Sequence, residues 1–322
     1  MNRVSVVVPN YNGIAYMTDC LQALERQSFS DFTTIVVDNG SADGSAELVE
    51  QQFPWAQLIR MGENTGFCGA VNAGIQASEG MDFVILLNND TKVDVRFVEE
   101  MLRAAKKSDK IFACQAKMIR MDDHSRLDDA GDYYCALGWA FARGKNKDVD
   151  AYDRSCSIFS ACAGAAIYRK SILDEIGYFD ENHFAYLEDT DICYRAKVHG
   201  YRNVYAPKAH VYHVGSGSSG SVYNLFKTKY SSRNSIYLIY KNMPILQILL
   251  NLPLLIPGFL AKAIFFLKKG YGKEYILGIG RGFVLSAKGK KEGKKVPFRM
   301  KNVGNYAKIQ IELWVNTIRR FT

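Results

Sequence analysis

Residues 4–8 form a valine-rich run closed by Pro9, the pattern of a strand buried on both faces. Apolar residues then recur at helical spacing at Ile14, Met17, Leu21 and Leu24. Residues 33–37 read as a second strand ending in Asp38-Asn39-Gly40-Ser41, with Ser41 or Ser45 placed to cap a helix that runs to Phe53. Residues 57–61, a helix over 67–78 and a strand over 83–87 continue the alternation. Strands and helices alternating at these lengths predict an α/β fold, a mostly parallel, Rossmann-like, doubly wound sheet with right-handed crossovers.

From about residue 111 the pattern loosens into an extended run to 121, a polar loop over 122–132 and an aromatic-rich stretch over 133–141. A strand over 164–168, helices over 170–176 and 188–199, and strands over 201–205 and 209–214 complete a body that ends near Lys241. Residues 245–267 are mostly apolar and approach the ~20 residues that span a bilayer. Gln247, Asn251 and Lys262 interrupt them, and Pro253 and Pro257 lack backbone donors, so two short helices lying in or dipping into a membrane interface are expected. A helical hairpin packed on the body is the alternative. Ala307, Ile311, Trp314, Ile318 and Phe321 follow at 4-3-4-3 spacing and predict a last amphipathic helix whose apolar stripe meets the core or a second copy of the chain, which leaves a homo-oligomer open. The chain therefore divides into a catalytic body, 1–241, and a helical, basic, membrane-associated region, 242–322.

Composition adjusts this picture in two places. With 322 residues, 48% of them hydrophobic, the chain can bury a sizeable core, and disordered, collagen-like and repeat architectures are excluded. The net charge of +8 is uneven. Eleven Lys and Arg lie between Lys268 and Lys301 against only Glu274 and Glu292, while residues 1–267 are mildly acidic. A basic tail on an acidic body calls for an anionic partner. Without a recognised nucleic-acid-binding module, a membrane surface fits better than nucleic acid. Seven cysteines, odd in number and without a C-x-x-C pair, read as reduced thiols. The stretch before Pro9 is too short for the apolar region of a signal peptide, so the body is expected in the cytoplasm.

In doubly wound sheets, ligands gather at the carboxyl ends of the strands. Pro9-Asn10-Tyr11-Asn12-Gly13, Asp38-Asn39-Gly40-Ser41 and Asn88-Asn89-Asp90-Thr91 fall there, with Glu63-Asn64-Thr65-Gly66-Phe67 and then Asn72 between the second and third of these. If the strand continues past Leu87, Asn88 and Asp90 point the same way, and one carboxylate with one amide suits Mg2+ or Mn2+ completed by phosphate oxygens. A plain turn is the other reading. Glu188-Asp189-Thr190-Asp191 opens a helix, where negative charge meets the positive end of the dipole, and Asp191 with Arg195 is an i,i+4 ion pair. His210 and His213 point to opposite faces of a strand and cannot both hold one ion. Trp139 and Tyr133-Tyr134 offer faces for an acceptor sugar, or simply fill core.

The ordered stretches VSVVVPNYNG, VVDNGSADGS, ENTGFCGAVNAGI, LLNNDT and YLEDTDICYR resemble the inverting glycosyltransferases of family 2, with the GT-A fold, and most of all their rhamnosyltransferase-like branch. The resemblance covers roughly residues 4–243. It implies that Pro9, Asn10, Tyr11 and Asn12 hold the nucleotide, that Asp38, beside Asn39, binds the base, and that Asn64, Gly66 and Asn72 flank nucleotide and donor sugar. Asn88-Asn89-Asp90 stands at the family's D-x-D position. Its first carboxylate is replaced by the Asn88 amide, while Asp90 remains the metal ligand and His213, in His213-Val214-Gly215-Ser216, completes the site. Asp189, beside Glu188, is by the same resemblance the general base, and Arg233 and Asn234 lie next to the diphosphate and acceptor. From the residues themselves, Asp191 is a further acceptor candidate, and the Gly/Ser run 215–221 reads as a lid over the donor diphosphate or as a plain linker. The activity so implied is metal-dependent hexosyl transfer with Mn2+ or Mg2+. The donor is a dTDP-sugar, dTDP-rhamnose first, or a UDP-sugar. The acceptor is a lipid-linked surface polysaccharide at the cytoplasmic face of the membrane. A sugar nucleotidyltransferase would need a basic triphosphate loop after the first strand, and residues 9–18 contain no Lys or Arg. A non-catalytic nucleotide-sugar-binding scaffold remains the reading that Asn88 suggests.

Overall fold

A computed structural model describes residues 3–215 and 224–322. The first half alternates as expected: β1 (Val4–Asn10), α1 (Ile14–Glu25), β2 (Phe32–Asp38), α2 (Ser45–Gln52), β3 (Gln57–Arg60), α3 (Gly66–Ala77), β4 (Phe83–Leu87), a short β5 (Thr91–Val93) and α4 (Phe97–Ala105). β1 lies between β2 and β4, β3 flanks β2, and all four are parallel, with side chains buried on both faces of β1 and β4. The second half adds β6 (Ile111–Arg120), β7 (Leu127–Asp129), β8 (Asp132–Tyr134), β9 (Ala140–Ala142), β10 (Ser157–Ile158), β11 (Ala165–Arg169), α5 (Lys170–Ile176), α6 (Glu188–Val198) and β12 (Arg202–His213). β11 enters antiparallel between β4 and β6, and β12 runs parallel to β6. The sheet is thus mixed rather than purely parallel.

One hydrophobic cluster fills the side of the sheet covered by α1, α2 and α4, and a second fills the side covered by α3, α5 and α6. A third joins Tyr134, Phe159 and Tyr194 of the body to α7 (Leu225–Asn242), α8 (Ile245–Lys268) and α10 (Val303–Arg319), while α9 (Gly272–Lys291) packs on α7 and α8. The last eighty residues therefore share a core with the body.

Four local expectations change. α2 takes its start from Gly44 in a left-handed conformation, and Ser45 is its first residue with its hydroxyl turned to Asp43, so neither Ser41 nor Ser45 is a side-chain cap. The two strands expected over 201–214 are one, β12, with a register shift between Ala206 and His210. α8 is one 24-residue helix that runs through Pro253 and Pro257. Gln247 and Asn251, which looked like interruptions, face the body and hold the helix there. In α10 the stripe facing the body is Tyr306, Ile309 and Leu313, and the Ile311, Trp314, Ile318 and Phe321 stripe is exposed. Both stripes have helical spacing, so periodicity alone could not choose between them.

Candidate active site

β1 and β2 end in register, Asn10 beside Asp38. The Asn10 amide nitrogen lies 2.9 Å from Asp38 Oδ1 and 2.7 Å from Ser45 Oγ, and its carbonyl oxygen accepts from the Asn89 amide at 2.7 Å. Asn12, at φ 51°, turns the chain and accepts from the Ala42 backbone. Asn39 accepts from the Thr65 backbone and donates to Asn64 Oδ1 and to the Gly66 carbonyl. These amides sit where the sequence predicts nucleotide binding, but Asn10, Asn39, Asn64 and Asn89 direct their side chains at neighbouring loops. Tyr11, following Pro9, is 45% exposed. Asn72 is buried and bonds to both backbone groups of Phe179, so it pins that segment.

The metal candidates meet. β4 stops at Leu87 and the chain turns over Asn89-Asp90, so strand alternation does not align Asn88 with Asp90. Asn88 lies against Gly164 instead. What aims Asp90 is the next pairing: β5 runs antiparallel to β12 with Thr91 opposite His213, and the Val214 N–H donates to the Asp90 carbonyl. Asp90 Oδ1 and His213 Nε2 are 3.3 Å apart. Adjacent ligands of one octahedral ion at ~2.1 Å stand about 3 Å apart, so the separation fits Mg2+ or Mn2+. His213 Nδ1 lies 2.7 Å from Asp128 Oδ2, the carboxylate-imidazole arrangement that orients a metal-ligating histidine. Burial would lower His213, but Asp128 and Asp90 outweigh it and push the imidazole up to about 9. His210 turns to the Pro207 carbonyl and takes no part.

The base candidate stands at the start of α6. Three residues without glycine's freedom precede it in left-handed conformations, Phe184, Tyr186 and Leu187 at φ 62°, 70° and 67°. Such strain persists only where the surroundings over-determine it. Here the Asn234 amide donates to the carbonyls of His183, Ala185 and Tyr186, and Arg233 donates to those of Asn182 and His183. Gly66 at φ 78° lets Phe184 approach to where a Cβ would stand. The loop so held delivers Glu188, buried, and Asp189, partly open. Burial pushes Asp189 up to about 6, and burial with the charge of Asp189 pushes Glu188 up to about 8.

Several expected contacts are structural. Asp191 is fully buried between Lys241, Asn242 and Arg195, its oxygens 2.8, 2.7 and 3.2 Å from them, and cannot reach an acceptor. Asn234 is fully buried on the loop, which corrects its acceptor assignment, and half-buried Arg233 gives its Nε and Nη2 to Asn234 and the loop carbonyls. Trp139 donates its indole N–H to the Gly258 carbonyl of α8, with Lys262 over its ring, so it docks a helix rather than a sugar. The lid expected over 215–221 lies, beyond Gly215, outside the described residues.

Sequence reasoning passed over one group. Asp128 and Asp129 end β7 and Asp132 begins β8, in the stretch taken for a polar loop. Asp129, Asp132 and Cys162 bring one ligand atom each within 4.8 Å of one another. Burial, then the charges of Asp129 and Asp189, raise Asp132 well above the usual carboxylate range, so this cluster lies within electrostatic reach of the base candidate. Lys145 pairs with Asp128 at 2.8 Å. The signal was the density of carboxylates in Leu127-Asp128-Asp129-Ala130-Gly131-Asp132, which solubility explains equally well.

Residues 5–177 match the family model described as glycosyl transferase family 2. The chain is 27% identical over 240 residues to an N-acetylglucosaminyl-diphospho-decaprenol L-rhamnosyltransferase of Mycobacterium tuberculosis, covering 67% of this chain and 77% of that one. Among solved structures it is similar to GalNAc-T7 with UDP, GalNAc and Mn2+, at TM-score 0.60 and 13% identity, over 74% of this chain and about half, 48%, of that one. It is also similar to a mannosyltransferase from Pyrobaculum calidifontis in complex with GDP-Man and Mn2+, at TM-score 0.52 and 16% identity, over 91% and 88% of the two chains. These likenesses establish the GT-A fold.

Proposed function

The chain belongs to glycosyl transferase family 2, and from that premise we propose that it transfers a sugar, with inversion, from a nucleotide-diphospho-sugar to a hydroxyl of a lipid-linked surface-polysaccharide acceptor. dTDP-rhamnose is the first donor to test, by analogy with the mycobacterial relative's name, and UDP-sugars are the second. The observation that carries the reading is the meeting of Asp90, His213 and Asp128 at the carboxyl end of the sheet.

Asp90 and His213 would hold the divalent cation, with Asp128 fixing the imidazole. When bound, the cation offsets the charge that develops on the leaving nucleoside diphosphate. Asp189 is the base: raised to about 6, it is ionised at neutral pH yet still basic enough to take the proton from an acceptor hydroxyl as the new C1–O bond forms. Glu188, raised to about 8, keeps its proton at that pH and leaves a single negative charge beside the reacting hydroxyl. The frame of Asn10, Asn39, Asn64 and Asn89, with Asp38 at the end of β2 and Tyr11 and Asn12 at the rim, supports the nucleotide. Residues 1–241 carry this chemistry, and residues 242–322 keep the enzyme on the cytoplasmic membrane surface where the acceptor resides.

Incubation with a panel of nucleotide sugars, a lipid-linked acceptor and Mn2+ or Mg2+ tests the reading. Inverted transfer product is expected. Donor binding without transfer or hydrolysis across the panel would favour the scaffold alternative.

A further inference from the structure

α8 has two unlike sides. Gln247, Asn251, Leu255 and Gly258 face the body. The Tyr194 hydroxyl donates to Gln247 at 2.7 Å, and Asn251 and Gln310 exchange amide hydrogen bonds at 2.8 and 2.7 Å. Trp139 donates to the Gly258 carbonyl at 3.1 Å, and only glycine fits at 258, because a Cβ there would collide with the Leu137 carbonyl oxygen. On the other side, Leu246, Leu249, Ile256, Leu260, Ile264 and Leu267 are 74, 58, 53, 58, 56 and 71% exposed. Singly exposed leucines are ordinary, but a continuous row of large aliphatic groups is an interaction surface.

Charge says what covers it. α8 ends at Lys268, and α9, which stacks Tyr275 on Phe266, carries exposed Lys273, Lys290 and Lys291. Phe283 and Val284 of α9 are bare as well, at 63 and 71%. Aliphatic groups bordered by lysines match the acyl boundary and the anionic head groups of a bilayer. A second copy of this chain would set lysine against lysine.

We propose that the outer face of α8, with α9, docks on an anionic bilayer as a monotopic anchor that lies along the surface and does not cross it. Crossing would take Gln247 and Asn251 from their partners into hydrocarbon and break the Trp139 contact. It would also send the lysines of α9 to the far leaflet. The inference rests on the membrane setting of the acceptor proposed above for its purpose, but its geometry stands without it.

The test is flotation of the full chain with sealed vesicles of phosphatidylcholine alone or mixed with phosphatidylglycerol. Binding is expected to the mixed vesicles, reduced by salt. The variant Leu249→Gln/Ile256→Gln/Leu260→Gln should bind at least roughly tenfold more weakly while keeping its melting temperature and its transfer to a soluble acceptor. Lys268→Gln/Lys273→Gln/Lys290→Gln/Lys291→Gln should lose the salt-sensitive part. Equal binding to both vesicle types, or unchanged binding by the Leu/Ile variant, overturns the proposal. So does a wild-type dimer in solution that the same variant converts to a monomer. Ile245→Cys and Lys269→Cys, each labelled on bound vesicles with a membrane-impermeant maleimide, should both react from outside; protection of one end only means a span. Vesicle binding without sugar transfer would sink the catalytic reading and leave the anchor standing.

Discussion

Asp90 and His213 stand 3.3 Å apart because β5 and β12 pair with Thr91 opposite His213. More than one hundred residues separate them in the chain, and a three-residue strand brings them together. Asp128, on β7, reaches the far nitrogen of the same imidazole. Removing Asp128 should therefore act through His213. Asp128→Asn is expected to weaken Mn2+ binding roughly 10- to 100-fold, with activity recovered at high Mn2+, whereas Asp90→Asn and His213→Ala stay inactive at any concentration. Calorimetric Mn2+ titration and the metal dependence of turnover check both; unaltered Mn2+ affinity in Asp128→Asn would remove it from the site.

Asp189→Asn should lose transfer by at least roughly 100-fold while binding the donor normally, since an amide cannot accept the proton. Donor affinity and turnover measured on the same preparation separate the two effects.

The pH profile follows from the raised carboxyls. Activity should fall as pH drops through about 6, where Asp189 takes up a proton. Stability runs the other way. A carboxyl with a folded value near 6 and an unfolded one near 3.8 leaves the folded state most favoured below 3.8 and less so as pH rises through 6. Asp189→Asn should consequently be more stable than wild type at pH 7, by roughly 1–2 kcal/mol given partial solvent access, and not at pH 4. Thermal melts at the two pH values decide it.

Asn234→Ala removes a donor shared by three loop carbonyls, of which that of His183 keeps Arg233. Each buried orphan costs roughly 1–3 kcal/mol. The expected phenotype is a lowered melting temperature with kcat falling more than donor KM rises, because the loop that aims Asp189 relaxes. A variant with wild-type kcat would show that the left-handed run 184–187 holds itself.

A chain ending at residue 241 should not fold to the native state. It lacks Asn242, which bonds to buried Asp191, and Leu255, Tyr306, Ile309 and Leu313 of the third cluster. Loss of cooperative melting in the truncated chain is the outcome to look for. The membrane-associated region would then be a functional division and not a separate folding unit.

The alternating first half was legible because β1, β4 and most of β2 are buried on both faces and α1 and α4 each have one clear stripe, so local pattern and tertiary environment agree. The motif residues were legible too, but several of their roles were not. Asn10, Asn39 and Asn72 can bond to a ligand or to a neighbouring loop with the same groups, and only the distance to the partner distinguishes the cases. Asp191 looked available at the opening of a polar helix, yet Lys241 and Asn242 arrive from α7, fifty residues on, to bury it. The two stripes of α10 are equally periodic, and the choice fell to what Tyr134 and Phe159 present to them.

By itself the sequence determined the order and type of the early elements, the family resemblance and the uneven charge, since all three depend on residue kind and near-neighbour spacing. Only the tertiary structure decided that Asp128 backs His213, that Asp191 and Asn234 brace rather than bind, and which side of α8 stays bare. Those are contacts between segments far apart in the chain. Their energies depend on distance and burial, which spacing along a sequence does not contain.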